Sequence, residues 1–206
     1  MRTSIYVDGF NFYYRAVKNT PYKWLDFKSL FVKLLSEENQ ILAIKYFTAL
    51  VSGSQDPGQP IRQQTYLRAL KKYIPEISIY YGHFISHKVP MPLADPDNKQ
   101  RFVKVIKTEE KGSDVNLAVH LLNDAWLNEY DCAVVVSNDS DLAEALKIVK
   151  QQLNKIVGIV MPGKGWPSRE LIKYADFKKP LRPGLLRNSQ LPYRIPNTNT
   201  RKPKEW

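Results

Sequence analysis

Apolar residues follow two rhythms along this chain, short continuous runs and stripes at helical spacing. Ser4-Ile5-Tyr6-Val7 is a β-rich run that stops at Asp8-Gly9, which predicts a strand entering a turn. Residues 12–17, after Asn11, read as the start of a helix. Asp26 is placed to cap a second helix running to about residue 38, with Phe27, Leu30, Phe31, Leu34 and Leu35 on one stripe. Residues 41–51 read as a buried strand, 52–60 as a loop, and 61–73 as a basic amphipathic helix closed by Pro75. A strand is predicted over 77–85. From Ser86 a long polar loop with Pro90, Pro92 and Pro96 leads to a short β-like run at 102–107, and its length marks it as a substrate-contacting or mobile element. Residues 114–128 are strongly helical, with Val115, Val119, Leu122 and Trp126 on one face. Continuous apolar strands at 132–137 and 156–161 flank a helix at 142–153, and Ser168 begins a short helix to residue 175.

Strands alternating with helices predict a three-layer α/β domain with a mainly parallel central sheet. The unbroken apolar runs of the last two strands suit a sheet covered on both faces. Beyond residue 177 the periodicity fades, and five of the chain's 14 prolines lie there. The expected organisation is one domain over 1–177 and a basic, Pro-rich C-terminal extension over 178–206. Leu185, Leu186, Leu191 and Ile195 predict that its proximal part docks, leaving a flexible basic end.

A length of 206 residues with 43% hydrophobic and 25% charged positions excludes wholesale disorder. No apolar run approaches the ~20 residues of a membrane span. The first ten residues carry no secretory pattern, so a soluble cytoplasmic protein without a membrane partner is expected. Cys132 is the single cysteine, which excludes an internal disulfide and a Cys-based zinc site; His83, His87 and His120 lack metal-ligand spacing. The net charge of +11 favours a polyanionic partner. Eight Lys or Arg against one Glu beyond residue 177 place seven of those charges in the extension.

Acidic residues fall where an open α/β sheet binds ligands, beyond the carboxyl ends of strands. Asp8 follows the first strand, Asp139 and Asp141 follow the strand ending at Ser137, and Asp114 opens a helix after Lys111-Gly112-Ser113. Singly, Asp114 and Asp141 read equally as helix-start residues, Asp8 as a turn residue and Asn11 as a cap. Jointly they form a cluster of like charges that a hard divalent cation would compensate, and Mg²⁺ or Mn²⁺ at such a cluster supports phosphodiester chemistry. Lys111 is a candidate phosphate contact. Lys164, in Gly163-Lys164-Gly165, is a weaker one, because that loop lacks the dinucleotide and P-loop patterns. Tyr13, Tyr14, Tyr80 and Tyr81 could stack bases or pack the core.

The three segments Tyr6-Val7-Asp8-Gly9-Phe10-Asn11, Lys111-Gly112-Ser113-Asp114 and Ser137-Asn138-Asp139-Ser140-Asp141 resemble, in this order, those of the NYN domain family of PIN-like nucleases. The bacterial LabA-like branch is the nearest likeness, and it extends to Ser189-Gln190-Leu191-Pro192 and Lys202-Pro203. The resemblance implies a Rossmann-like PIN-type core and a Mg²⁺- or Mn²⁺-dependent ribonuclease. It makes Asp8, Asp114, Asp139 and Asp141 catalytic and metal-binding candidates, with Asn11 and Ser137 in support. Two departures stand out: Asn138 where the family commonly has Gly, tolerated if the position needs a left-handed backbone, and His120 where many relatives carry Asp. A non-catalytic RNA-binding or regulatory adaptor on the same fold is the alternative. A haloacid-dehalogenase-type phosphatase is set aside, because Asp8-Gly9-Phe10 lacks the second acid of D-x-D. RNA is the expected partner, while DNA and a homodimer are left open.

Overall fold

The computed structural model describes residues 1–53, 56–95, 101–163 and 165–206. Six strands form the central sheet: β1 (Arg2–Asp8), β2 (Gln40–Thr48), β3 (Ile77–Tyr81), β6 (Cys132–Val136), β7 (Ile156–Met161) and β8 (Phe177–Pro180). Their order is β3-β2-β1-β6-β7-β8 and every pairing is parallel. The chain winds outward from β1 through β2 to β3, then returns to β1's other side for β6, β7 and β8. The β1/β6 boundary is therefore the point where winding reverses, and the crevice of such a sheet opens there.

Period-two alternation divides the sheet residues between two cores. Ile5, Val7, Ile44, Tyr46, Val134 and Val136 face one side, under α1 (Gly9–Phe12), α2 (Phe27–Leu34) and α3 (Gln59–Tyr73). Tyr6, Phe47, Ala133, Val135 and Ile159 face the other, under α4 (Ser113–Trp126), α5 (Ala143–Gln151) and α6 (Arg169–Ile172). The three-layer α/β expectation holds. Asp26 caps α2, its Oδ1 accepting from the Ser29 backbone N–H at 3.0 Å; the helix ends at Leu34, short of residue 38. The helix expected over 12–17 begins earlier, as α1, and continues as a π-helical turn over Tyr13–Val17.

Three expectations change. The strand over 77–85 breaks at Gly82, and the polar loop after Ser86 is instead a two-stranded antiparallel hairpin, β4 (His83–Pro92) with β5 (Phe102–Lys111). Both of its strands are edges, where proline's missing N–H is tolerated, so Pro90 and Pro92 sit within β4. Pro96 lies outside the described residues.

The second change concerns α4. Its buried face is Leu117, Leu121, Asp124 and Ala125, whereas Val115, Val119 and Trp126 are exposed. Periodicity alone favours the more apolar stripe, but Asp124 has partners inside. It accepts from the Tyr6 hydroxyl at 2.5 Å and pairs with Lys45 at 2.6 Å.

The third concerns the C-terminal segment, which adds β8 to the sheet and forms α7 (Pro183–Arg187). Leu181, Leu186, Leu191 and Ile195 are buried in the core under α2 and α3. The segment runs beside residues 24–26, where Trp24 Nε1 donates to the Pro192 carbonyl at 2.9 Å and the Asp26 N–H to Ser189 at 2.8 Å. The end expected to be flexible packs as well: Trp206 lies 5.2 Å from the Tyr66 ring centroid. No described helix is long and apolar enough to cross a membrane.

Candidate active site

Asp8 ends β1 at the sheet's reversal point and is only 4% exposed. Its Oδ1 accepts from the Asn11 backbone N–H at 2.9 Å, capping α1, and its Oδ2 accepts from Ser137 Oγ at 2.8 Å. Ser137, fully buried at the end of β6, also accepts from the Asp139 N–H at 3.1 Å. One hydroxyl thus ties the acids of two adjacent strand ends together. Asn11 adds a second tie, its Oδ1 accepting from the Asn138 N–H at 3.2 Å.

Asp114 reaches the same crevice from the first turn of α4. Gly112 precedes that helix with φ of 97°, a left-handed conformation that favours glycine and turns the chain out of β5 into α4. The Glu110 carboxylate secures the turn by accepting from the Ser113 N–H at 3.1 Å and from its hydroxyl at 2.7 Å. The crevice has a volume of about 300 Å³ and is lined by Asp8, Asn11, Glu110, Asp114 and Asp139, with Phe10, Tyr14 and Phe84 among its apolar walls.

Glu110 was not foreseen. It belongs to the second strand of the hairpin, and its signal was the position at that strand's end, which becomes legible only once residues 102–111 are recognised as a full strand. Asp141 does not line the crevice. It is exposed, its backbone N–H donates to Asp139 Oδ1 at 3.1 Å, and its charge still bears on Asp114. Lys111 is not among the residues lining the crevice and pairs with Glu109 at 3.5 Å. Lys164 lies outside the described residues.

Both departures from the family pattern have structural roles. Asn138 does not need a left-handed backbone: the described non-glycine residues with positive φ are Asn128, Asn154 and Asn197. Its side chain holds the loop after β7 instead, donating to the Trp166 carbonyl at 3.2 Å and accepting from the Ser168 N–H at 2.6 Å. His120 packs on Tyr80, with ring centroids 4.0 Å apart, and is absent from the crevice lining.

The electrostatics are those of crowded carboxylates. Burial raises the pKa of Asp8 above the usual range, opposed by the bonds from Asn11 and Ser137. Asp114 is pushed up to about 6, first by burial and then by Asp8, Asp139, Glu110 and Asp141. The folded Asp114 thus keeps its proton to about pH 6, whereas the unfolded carboxyl releases it near 3.8. Because the native state binds more protons in that window, stability falls as pH rises from about 4 to 6. Thermal melts of metal-free protein should show that decline, and Asp114→Asn should flatten it.

Among the described residues, no three His, Cys, Asp or Glu side chains are arranged to hold a metal ion as they stand. The donor chemistry nevertheless suits a hard divalent cation, since the crevice offers carboxylate oxygens whose mutual repulsion a cation would relieve. Mg²⁺ is commonly bound through one or two carboxylates plus waters and a substrate phosphate, so a full protein cage is not required.

Gly9, directly after Asp8, is a point of close approach. A Cβ there would stand 2.6 Å from the Phe47 carbonyl oxygen and 2.8 Å from Tyr46 Cζ. Gly9→Ala is expected to cost about 1–3 kcal/mol by overpacking, read as a lower denaturation midpoint.

A parallel sheet wound both ways from β1, with acids at the reversal point, defines a Rossmann-like α/β domain of the PIN type. The chain belongs to the NYN domain family, whose pattern it matches over residues 2–179. It is 36% identical, over 235 aligned positions spanning all of this chain and 75% of the relative, to 6-hydroxy-3-succinoylpyridine 3-monooxygenase HspA of Pseudomonas putida (strain DSM 28022 / S16). Its fold is similar to that of VPA0982 from Vibrio parahaemolyticus RIMD 2210633, a protein of unknown function. That likeness has a TM-score of 0.55 and 18% identity, covering 92% of this chain and 96% of the other.

Proposed function

We propose that this protein is a Mg²⁺- or Mn²⁺-dependent ribonuclease of the LabA-like kind. The observation that carries the reading is the convergence of Asp8, Asp114 and Asp139 from three elements onto one crevice, with Asp114 pushed up to about 6. Asp8, Asp114 and Asp139 would hold the ion, with Asp141 in support. A bound cation would neutralise the cluster, polarise the scissile phosphate and activate water. Ser137 and Asn11 keep the acids of β1 and β6 in register, and Glu110 fixes the turn that delivers Asp114. Exposed cations on the hairpin, Lys88 and Lys104 among them, suit the RNA backbone and extend the preference set by the net charge of +11.

The test is incubation of varied RNAs with the purified protein in Mg²⁺, in Mn²⁺ and in EDTA. Cleavage in metal alone, leaving 5′-phosphate ends, is expected. Tight RNA binding with no turnover on any substrate would select the adaptor function instead.

A second reading is favoured by one observation, the similarity, over all of this chain and 75% of the relative, to a protein named as a monooxygenase of a substituted pyridine. It calls for a parallel assay with 6-hydroxy-3-succinoylpyridine, dioxygen and a two-electron reductant. Substrate-dependent consumption of dioxygen and of the reductant, with formation of an oxygenated product, would establish it. The carboxylate crevice and the basic charge are what support RNA hydrolysis as the leading reading.

A further inference from the structure

A second, larger cavity of about 440 Å³ opens beside the acidic crevice, and Phe10 and Tyr14 line both. Its walls are aromatic: Tyr13 and Tyr14 come from the π-helical turn, Tyr46 from β2, Tyr66 from α3, and Trp206 closes one side. The size falls in the range of sites for small organic ligands.

Several of the polar groups in these walls are already engaged. The Tyr66 hydroxyl donates to the Leu25 carbonyl at 2.8 Å. Gln63 accepts from the Val51 N–H at 3.0 Å and donates to the Ala49 carbonyl at 2.9 Å. Arg62 pairs with Glu205 at 2.6 Å and also with Asp56.

Tyr46 differs. It is 6% exposed and lines the cavity, and among the described residues nothing hydrogen-bonds its hydroxyl. A hydroxyl that opens into a cavity with no protein partner of its own among the described residues suits an occupant with a polar edge. Tyr14, in contrast, is 57% exposed, with the Lys18 ammonium 4.6 Å from its ring centroid. Lys18, Lys23 and Arg62 outnumber Asp56 and Glu205 among the lining charges.

Aromatic faces, the inward hydroxyl of Tyr46 and a cationic excess together describe a flat ring with a hydrogen-bonding edge, joined to an anion. We propose that this cavity seats one base of the RNA, the nucleotide next to the phosphodiester held at the acidic crevice. This inference rests on the ribonuclease reading. Tyr14 stacks on the base as it passes from one cavity to the other, and Tyr46 reads its edge, so the cavity gives cleavage a base preference.

The experiment is calorimetric titration of the full chain in EDTA with the four nucleoside 5′-monophosphates, and with nicotinate as a non-nucleotide aromatic acid. One monophosphate should bind saturably and ahead of the others, with nicotinate weak. Tyr14→Ala, at an exposed position, should weaken it about tenfold. Tyr46→Phe, which keeps the packing, should weaken it about three- to tenfold and narrow the difference between bases. No saturable nucleotide binding, nicotinate binding ahead of every nucleotide, or equal affinities in both variants and wild type would each overturn the proposal. The titration uses no metal and no cleavage. A protein that binds the monophosphate as described but cleaves no RNA therefore overturns the ribonuclease reading alone, leaving a nucleotide site.

Discussion

Asp139→Asn is expected to lower metal-dependent RNA cleavage by at least about 100-fold, which corresponds to roughly 3 kcal/mol of lost transition-state stabilisation. The substitution is chosen because it removes charge and little else. Asp139 holds the Asp141 N–H through Oδ1 at 3.1 Å, and an asparagine carbonyl oxygen makes the same bond. Its own N–H remains bound to Ser137 Oγ, so the strand end stays in place. Because Asp139 also raises the pKa of Asp8 and Asp114, its neutralisation relieves repulsion within the crevice. The variant should therefore melt no lower than the wild type in EDTA while gaining less thermal stability from Mn²⁺. Gel assays of RNA cleavage, paired with melts at matched metal concentration, read both effects. Equal cleavage by the two proteins would overturn the assignment of Asp139.

Lys45→Ala should produce the largest loss of stability, about 3–5 kcal/mol, because it strands a buried charge. The Lys45 and Asp124 side chains are 13% and 4% exposed, and their charged atoms are 2.6 Å apart. Asp124 also accepts from the Tyr6 hydroxyl, and burial with that partner lifts the Tyr6 hydroxyl far above its ordinary pKa. Removing the ammonium leaves a carboxylate between β1, β2 and α4 with one neutral donor. Pairing Lys45→Met with Asp124→Asn should recover part of the loss, since the amide oxygen can still accept from Tyr6. Urea titrations of the three proteins measure this, and a loss under about 1 kcal/mol for Lys45→Ala would show that water shields the pair.

Much of the architecture was legible in short stretches of chain. Continuous apolar runs at Cys132–Val136 and Ile156–Met161 suited strands covered on both faces, and Asp26 marked its helix start through a bond three residues away. The hairpin was hidden because its prolines read as loop punctuation, although an edge strand has no inward neighbour for those N–H groups to serve. The buried side of α4 was misjudged because two apolar stripes compete on one helix, and the choice between them lies in Lys45 and Tyr6, both distant in sequence.

By itself the sequence determined the α/β class, the three acidic motifs and their order, and the basic balance, all of which are recorded in local spacing. Only the tertiary structure decided what meets at the reversal point of the sheet. The bond between Asp8 and Ser137 joins residues 129 positions apart, Glu110 arrives on an unforeseen hairpin, and the C-terminal segment packs back to wall the aromatic cavity. The physical reason is that periodicity reports which face of an element is apolar, whereas the partners of a buried polar group are set by strand order and crossover, which no local pattern encodes.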